Sequence, residues 1–180
     1  MALELERRDQ LATVRLHAGD SGPVLRGTAI VYNSLSSDLG GFREIITPGA
    51  ARGALNSGRI VATFNHNPHA PLARQGAGLN LFEDERGVHY TIALPETQVG
   101  RDVAELVGRG VLAGSSFTFH SAREHWTRDV DGNHVRTLSG FEVVELGPVL
   151  TPAYGETTVA MRSLARVSRA REFAPLIYLL

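Results

Sequence analysis

GRDVAELVGRGVLAGSSFTFHS, residues 100–121, carries both periods of regular structure in one stretch. Val99, Val103, Leu106 and Val107 recur at three- and four-residue steps, so Thr97 to Arg109 is expected to be an amphipathic helix closed by Gly110. The period then drops to two. Leu112 to Ser121 is expected to run as a strand, with Ser115 on the face of Phe117 and Phe119, and Ser116 on the face of Thr118 and His120. The phenylalanines mark the core side, so the Ser116 hydroxyl is expected to reach a solvent-accessible cleft. An ordinary exposed strand serine is the other reading of the same pattern.

Downstream, Glu124 to Asn133 reads as a polar hairpin tipped by Asp131-Gly132, and Val135 to Val149 as a second long strand. Upstream, Leu79 to Phe82 and Val88 to Leu94 read as strands around the polar EDERG loop. Before them, Asn67 to Gly78 is a turn-rich connector, and Arg59 to His66 is a strand with Ile60, Ala62 and Phe64 on one face and His66 at its end. Thr47-Pro48 ahead of GAARGALNSG predicts a capped helix ending near Gly58. Leu11 to His17 and Val24 to Tyr32 open the chain as strands. With neither βαβ alternation nor an internal repeat, the expectation is an α+β domain on a mainly antiparallel, closed sheet. Residues from about Ser163 onward, rich in Arg and Ala, read as a helical or mobile tail.

Composition narrows the chemistry. The 180 residues are 43% hydrophobic, enough for a sizeable core. Eighteen basic and nineteen acidic residues give a net charge of -1, without the footprint of a nucleic-acid binder or of an anionic-membrane binder. The absence of cysteine removes disulfides, thiolate catalysis and Cys-ligated metal centres, leaving Ser, Thr, His and carboxylates. MALELERRDQ is charged where a secretory signal is apolar, and no run approaches the ~20 apolar residues of a membrane span. A soluble intracellular protein is expected. The terminal FAPLIYLL is short for a span and suits docking on a core or a partner.

His66, between an apolar strand and a polar loop, is placed to serve as a general base, since an imidazole titrates at about 6.5. A strand-end histidine without a role is the alternative. A base needs an orienting group. Along Val135 to Glu145 the odd positions form the more apolar face, which Glu145 closes; Glu142 sits opposite, beside Leu138 and Val144. A carboxylate at the edge of an apolar face needs a partner, either an imidazole or an arginine in a structural ion pair. His66 with His69 could chelate zinc from one loop, but no H-E-x-x-H helix accompanies them.

Residues 100–119 resemble the prohead proteases of tailed bacteriophages, whose hallmark is a helix opening on GRD, a glycine-bounded turn and a strand with a G-x-S-F nucleophile motif. GTAIVYNSLS at 27–36, FREIITPGA at 42–50, FNHNPHAPLAR at 64–74 and FEVVELGPVLTPAYGETTVAMRSL at 141–164 are similar to further blocks of that family, in collinear order. Asn67 departs from the acidic residue often found after the histidine, and Ser115 from the usual apolar residue before the serine.

The resemblance implies a herpesvirus-protease-like fold, a closed β-barrel ringed by a few helices, in a serine protease domain over residues 1–164 followed by a tail at 165–180. It implies Ser116 as nucleophile, His66 as base and Glu145 as third member, with Glu142 in reserve. The herpesvirus relatives use a histidine third, which would make His120 the first to test. It implies that the Thr151 to Gly155 loop supplies an oxyanion donor. The implied substrates are scaffold and major capsid protein, cut inside the immature prohead in the host cytoplasm. Self-cleavage and a homodimer fit the same picture; cofactor, metal, nucleic acid and membrane do not enter it. The competing class is a non-catalytic capsid-assembly protein that keeps the fold, against which the presence of both Ser116 and His66 counts.

Overall fold

The computed structural model describes residues 4–10, 14–19 and 22–150. In chain order they form β1 (Glu6–Gln10), β2 (Arg15–Gly19), β3 (Gly22–Val31), β4 (Phe42–Ile46), α1 (Arg52–Leu55), β5 (Val61–Thr63), β6 (Pro71–Gln75), β7 (Gly78–Glu83), β8 (Gly87–Ala93), α2 (Gln98–Gly108), β9 (Gly114–Arg128) and β10 (His134–Val149). Among the described residues no helix is long and apolar enough to cross a membrane.

The frame is the antiparallel pair β9 and β10. Asp129 closes their connection by accepting from the N–H groups of Asp131 and Asn133, and Gly132 takes the left-handed φ of 84° that the turn requires. Along its other edge β10 carries two short parallel strands end to end, β4 beside its first half and β5 beside its last. The sheet then runs β5-β6-β7-β8-β3-β2, with β1 on the outer edge of β9.

This sheet curls around its core. β8 and β9 are separated in it by β10, β5, β6 and β7, yet Tyr90 and Ser115 share a hydrogen bond of 2.7 Å between their hydroxyls. Tyr90 reaches there by filling the space a side chain at Gly27 would need: a Cβ on Gly27 would stand 2.4 Å from the Tyr90 ring. Leu25, Ile30, Ile92, Phe117, Phe119, Leu138 and Leu146 fill the interior. The expected closed barrel is not what the described residues form. The ladder ends at β1 on one side and β2 on the other, and these five-residue strands do not pair with each other. The result is a mostly-strand α+β fold on a half-barrel sheet.

α2 follows its sequence pattern. Thr97 accepts from the Gly100 N–H at 3.3 Å, Val103 and Val107 are buried, and Gly110 leaves with φ 70°. The helix expected after Thr47-Pro48 shrinks to the single turn of α1. Its cap position is Ala51, without a side-chain bond, and the Thr47 hydroxyl donates instead to the Leu138 carbonyl. The Asn67 to Gly78 connector contains β6, in which only Leu72 is fully buried, too little for an alternating signal. The strand expected from Arg59 to His66 stops at Thr63. β1 was hidden because its inward residues are charged: Glu6 and Arg8 are buried, paired with Glu44 and Arg136. The expected strand from Leu11 appears from Arg15, its first residues lying outside the described ones, as do the boundary at Leu164 and the 165–180 tail.

Candidate active site

β9 divides its adjacent serines by alternation. Ser115 turns inward to the Tyr90 hydroxyl, and Phe117 and Phe119 follow it into the core. Burial pushes the Tyr90 phenol well above its ordinary pKa, although its bond to Ser115 works the other way, so the group stays a neutral hydroxyl. Ser116 faces away from that core with Thr118. It is not open to solvent as its pattern suggested: its exposure is 0%. β1 and β10 flank it, with Asp9 and Gly147 as its ladder partners, and the His66 imidazole sits on its hydroxyl.

His66 is delivered by a turn rather than a strand end. Asn65 and His66 both adopt left-handed backbone, φ 53° and 55°. Such values are uncommon outside glycine, and asparagine and histidine tolerate them better than most residues. Two bonds pin the turn to the end of β10: the Asn65 N–H donates to Pro148 O at 3.1 Å, and its Oδ1 accepts from the Leu150 N–H at 2.8 Å. Close approach here needs Gly147, where a Cβ would stand 2.0 Å from the Thr63 carbonyl oxygen.

Glu145 arrives through a β-bulge. Val143 pairs with Phe119 and Glu145 with Thr118, so Val144 is the extra residue, and it is exposed. Plain alternation set Glu145 at the end of the apolar face of β10 and Glu142 opposite. The bulge reverses this: Phe141, Val143 and Leu146 enter the core, while Glu145 stands across from Thr118 on the face of Ser116. Glu142, paired with His120, falls on that same face, but beside Gly53 of α1 and away from His66. His120 is engaged locally, its Nδ1 2.8 Å from the Ser121 hydroxyl.

The three groups meet in a line. His66 Nε2 lies 2.6 Å from Ser116 Oγ and its Nδ1 lies 2.5 Å from Glu145 Oε2. An ionised carboxylate only accepts, so the proton of a neutral ring belongs on Nδ1, leaving Nε2 to accept from the serine hydroxyl. Two threonines that the sequence reading missed complete the carboxylate's contacts. Thr63 donates to Glu145 Oε1 at 2.6 Å, and Thr118 donates to Oε2 at 3.1 Å and stands 3.4 Å from His66 Nδ1. Alternation already set Thr118 beside Ser116, but nothing in the sequence pointed Thr63 at a carboxylate 82 residues away. The side chains of His66 and Glu145 are only 11% and 12% exposed, which strengthens their interaction by excluding water. A hydroxyl, an imidazole and a carboxylate so arranged can pass a proton away from the hydroxyl.

Among the described residues no three His, Asp or Glu side chains are placed to hold a metal, and His69 meets Asn67 Oδ1 through its backbone N–H. The Thr151 to Gly155 loop lies outside the described residues.

No curated protein matches the chain significantly. Among solved structures, the capsid assembly protease gp21 of bacteriophage T4 shares the fold, with a TM-score of 0.56 at 12% identity over 83% of this chain and 99% of that one. The profile of the family described as caudovirus prohead serine protease matches residues 10–170, nearly the whole sequence, and the chain therefore belongs to that family.

Proposed function

We propose that the chain is a capsid-maturation endopeptidase in which Ser116 is the nucleophile, His66 the general base and then acid, and Glu145 the group that orients and balances the imidazole. The observation that carries this reading is the unbroken line from Ser116 Oγ through both ring nitrogens of His66 to Glu145. As Oγ attacks the scissile carbonyl carbon, its proton passes to Nε2. The tetrahedral intermediate collapses with cleavage of the C–N bond, Nε2 gives the proton to the leaving amine, and an ester to Ser116 remains. Water then attacks that ester, its proton goes to Nε2, and collapse returns it to Oγ. Glu145 meets the imidazolium formed in each half with fixed negative charge. The Thr151 to Gly155 loop is our candidate for an oxyanion donor.

The substrates are scaffold and capsid-protein segments inside the immature prohead, and residues beyond Leu164 are a site of self-trimming in the same proposal. The full burial of Ser116 favours a second reading, an assembly protein that keeps the fold without the chemistry. A fluorophosphonate probe separates the two. The proposal expects one covalent adduct, mapped by mass spectrometry to Ser116 and absent from His66→Ala. Cleavage of co-expressed capsid protein that persists in Ser116→Ala overturns the mechanism, and absence of both adduct and cleavage overturns the enzyme assignment.

A further inference from the structure

The curled sheet has a second polar centre, on the outer face of β2, β3, β7 and β8. There Arg15 and Arg26 are direct cross-strand partners, so their side chains rise on the same side. Like charges in that arrangement are destabilising, and a neighbouring carboxylate would ordinarily relieve them. Among the described residues neither arginine has an ion pair. His17 follows Arg15 two residues on, and His89 lies across from Thr28, two residues beyond Arg26. No strand position on this face carries a carboxylate, and Asp84, in the turn between β7 and β8, is occupied by His89 Nε2 at 3.0 Å. In a chain of net charge -1 this is local segregation of charge and not a general excess of base.

Two further features shape what could sit there. Arg15, Arg26, Thr28, Phe82 and His89 line a cleft of about 420 Å³. The His89 ring is fixed by Thr28 Oγ1 at 2.9 Å and stacks on Phe82 with centroids 4.9 Å apart, although Phe82 itself is 55% exposed. A half-exposed aromatic beside paired cations offers an apolar anchor next to an anion site. Moreover, β2 ends the sheet, and all five of its residues are exposed, so among the described residues its outer edge offers unpaired backbone groups.

We propose that this face docks an acidic, extended segment of a protein partner, which adds as a strand to β2 and lays its carboxylates on Arg15 and Arg26. Strand addition satisfies the backbone groups of the edge, and alternate residues of the added strand point to the arginine side. Strands lie about 5 Å apart, which brings carboxylates within reach of the long Arg26 side chain as well as Arg15. A polynucleotide would meet the charge but leave the β2 edge unpaired. This inference is independent of the chemistry at Ser116.

The test uses the full chain carrying Ser116→Ala, so that the probe is not cut. The probe is a fluorescein-labelled peptide of alternating glutamate and valine, about ten residues long, followed by anisotropy against an oligothymidylate of equal charge. The peptide should bind and weaken with added salt. Arg15→Glu with Arg26→Glu should weaken it about tenfold or more, while Arg101→Glu on α2 should not. Arg15→Gln with Arg26→Gln serves if the reversed pair fails to fold, as judged by circular dichroism. Arg15→Glu alone should raise the melting temperature slightly by creating an opposite-charge pair. Absence of peptide binding, binding indifferent to both double variants, or equally tight binding of oligothymidylate through the same arginines overturns the proposal.

Discussion

Two buried charged clusters lie along β10, and they are balanced in opposite ways. Around Arg136, every charge faces a permanent opposite charge. Arg136 spans both Glu6 oxygens at 2.6 and 2.9 Å and also meets Glu44 and Glu124, while Arg8 forks onto Glu44 with two bonds of 2.7 Å. Around Glu145, the carboxylate faces two hydroxyls and an imidazole, whose charge comes and goes with one proton. Burial disfavours the charge on Arg136, yet its carboxylates hold the guanidinium pKa above its already high ordinary value. The Arg136 guanidinium is therefore locked in its charged form, and the cluster ties β1, β4, β9 and β10 together. In the proposed mechanism the second is the movable one, passing a proton through His66 with Glu145 beside it.

The largest expected effect falls on the movable cluster. Ser116→Ala or His66→Ala should lower cleavage of a capsid-protein substrate by about 10⁴-fold or more, since members of such a unit act together. Melting temperatures should stay close to that of the unaltered chain. Ser115→Ala should do the reverse, retaining cleavage and losing about 1 kcal/mol of stability with the Tyr90 bond. Matched losses of activity in the two serine variants would erase the distinction between the faces of β9.

The locked cluster should show the opposite profile. Arg136→Met leaves Glu6 and Glu44 buried with fewer partners, and removing one member of such a network costs about 3–5 kcal/mol. Denaturant titration should record that loss, with cleavage per folded molecule retained. pH gives a second handle. Burial works against ionisation of Glu6, but the hydrogen bonds and charges of Arg136 and Arg8 outweigh it, and its pKa falls below the ordinary glutamate value. A depressed carboxylate contributes stability that is present above its unfolded-state pKa and is lost as pH falls through the lower folded-state pKa. Glu6→Gln should thus lower stability at neutral pH and flatten its decline in acid. An unchanged acid limb would mean that β1 is not held by this pair.

These clusters also mark how far the sequence could be read. The faces of Ser115 and Ser116 were legible because Phe117 and Phe119 reveal the inward parity of β9 directly. The face of Glu145 was not, since one bulged residue, Val144, reverses the parity of β10 and carries no sequence mark of its own. Family resemblance named Glu145 where alternation placed it on the wrong side. β1 was illegible for a different reason: its inward positions are a glutamate and an arginine, which become acceptable in the interior only through Glu44 and Arg136, partners 36 and 130 residues away. The full burial of Ser116 was not legible either, since neither the β1 strand beside it nor the His66 turn over its hydroxyl shows in the alternation of β9.

Gly147 lets β5 come close enough to β10 for the His66 turn to reach β9. Gly147→Ala places a methyl against the Thr63 carbonyl, a contact that backbone cannot yield easily. The expected cost is about 1–3 kcal/mol, accompanied by a larger loss of cleavage than that stability change explains, because the displaced turn carries His66. Equal activity per folded molecule would show that the turn finds its place without the close approach.

The smallest effects should come from the threonines that hold Glu145, and they test whether its placement or only its charge matters. Thr63 donates over the shorter distance, 2.6 Å against 3.1 Å for Thr118, and it holds the oxygen that His66 does not use. Losing it frees the carboxylate to rotate about the one remaining anchored oxygen. Thr63→Val should therefore lower kcat by about tenfold and Thr118→Val by less, each with KM nearly unchanged, because both threonines are buried and act through Glu145. Thr63→Ser and Thr118→Ser restore the donor and should recover most of the rate. Glu145→Gln, which keeps shape but removes the charge, should cost more than either valine and less than Ser116→Ala. If both valine variants match the unaltered chain while Glu145→Gln is impaired, charge alone serves His66 and the threonines are packing. If Glu145→Gln is also silent, the carboxylate is an ion partner of the kind found around Arg136, and the contrast between the two clusters disappears.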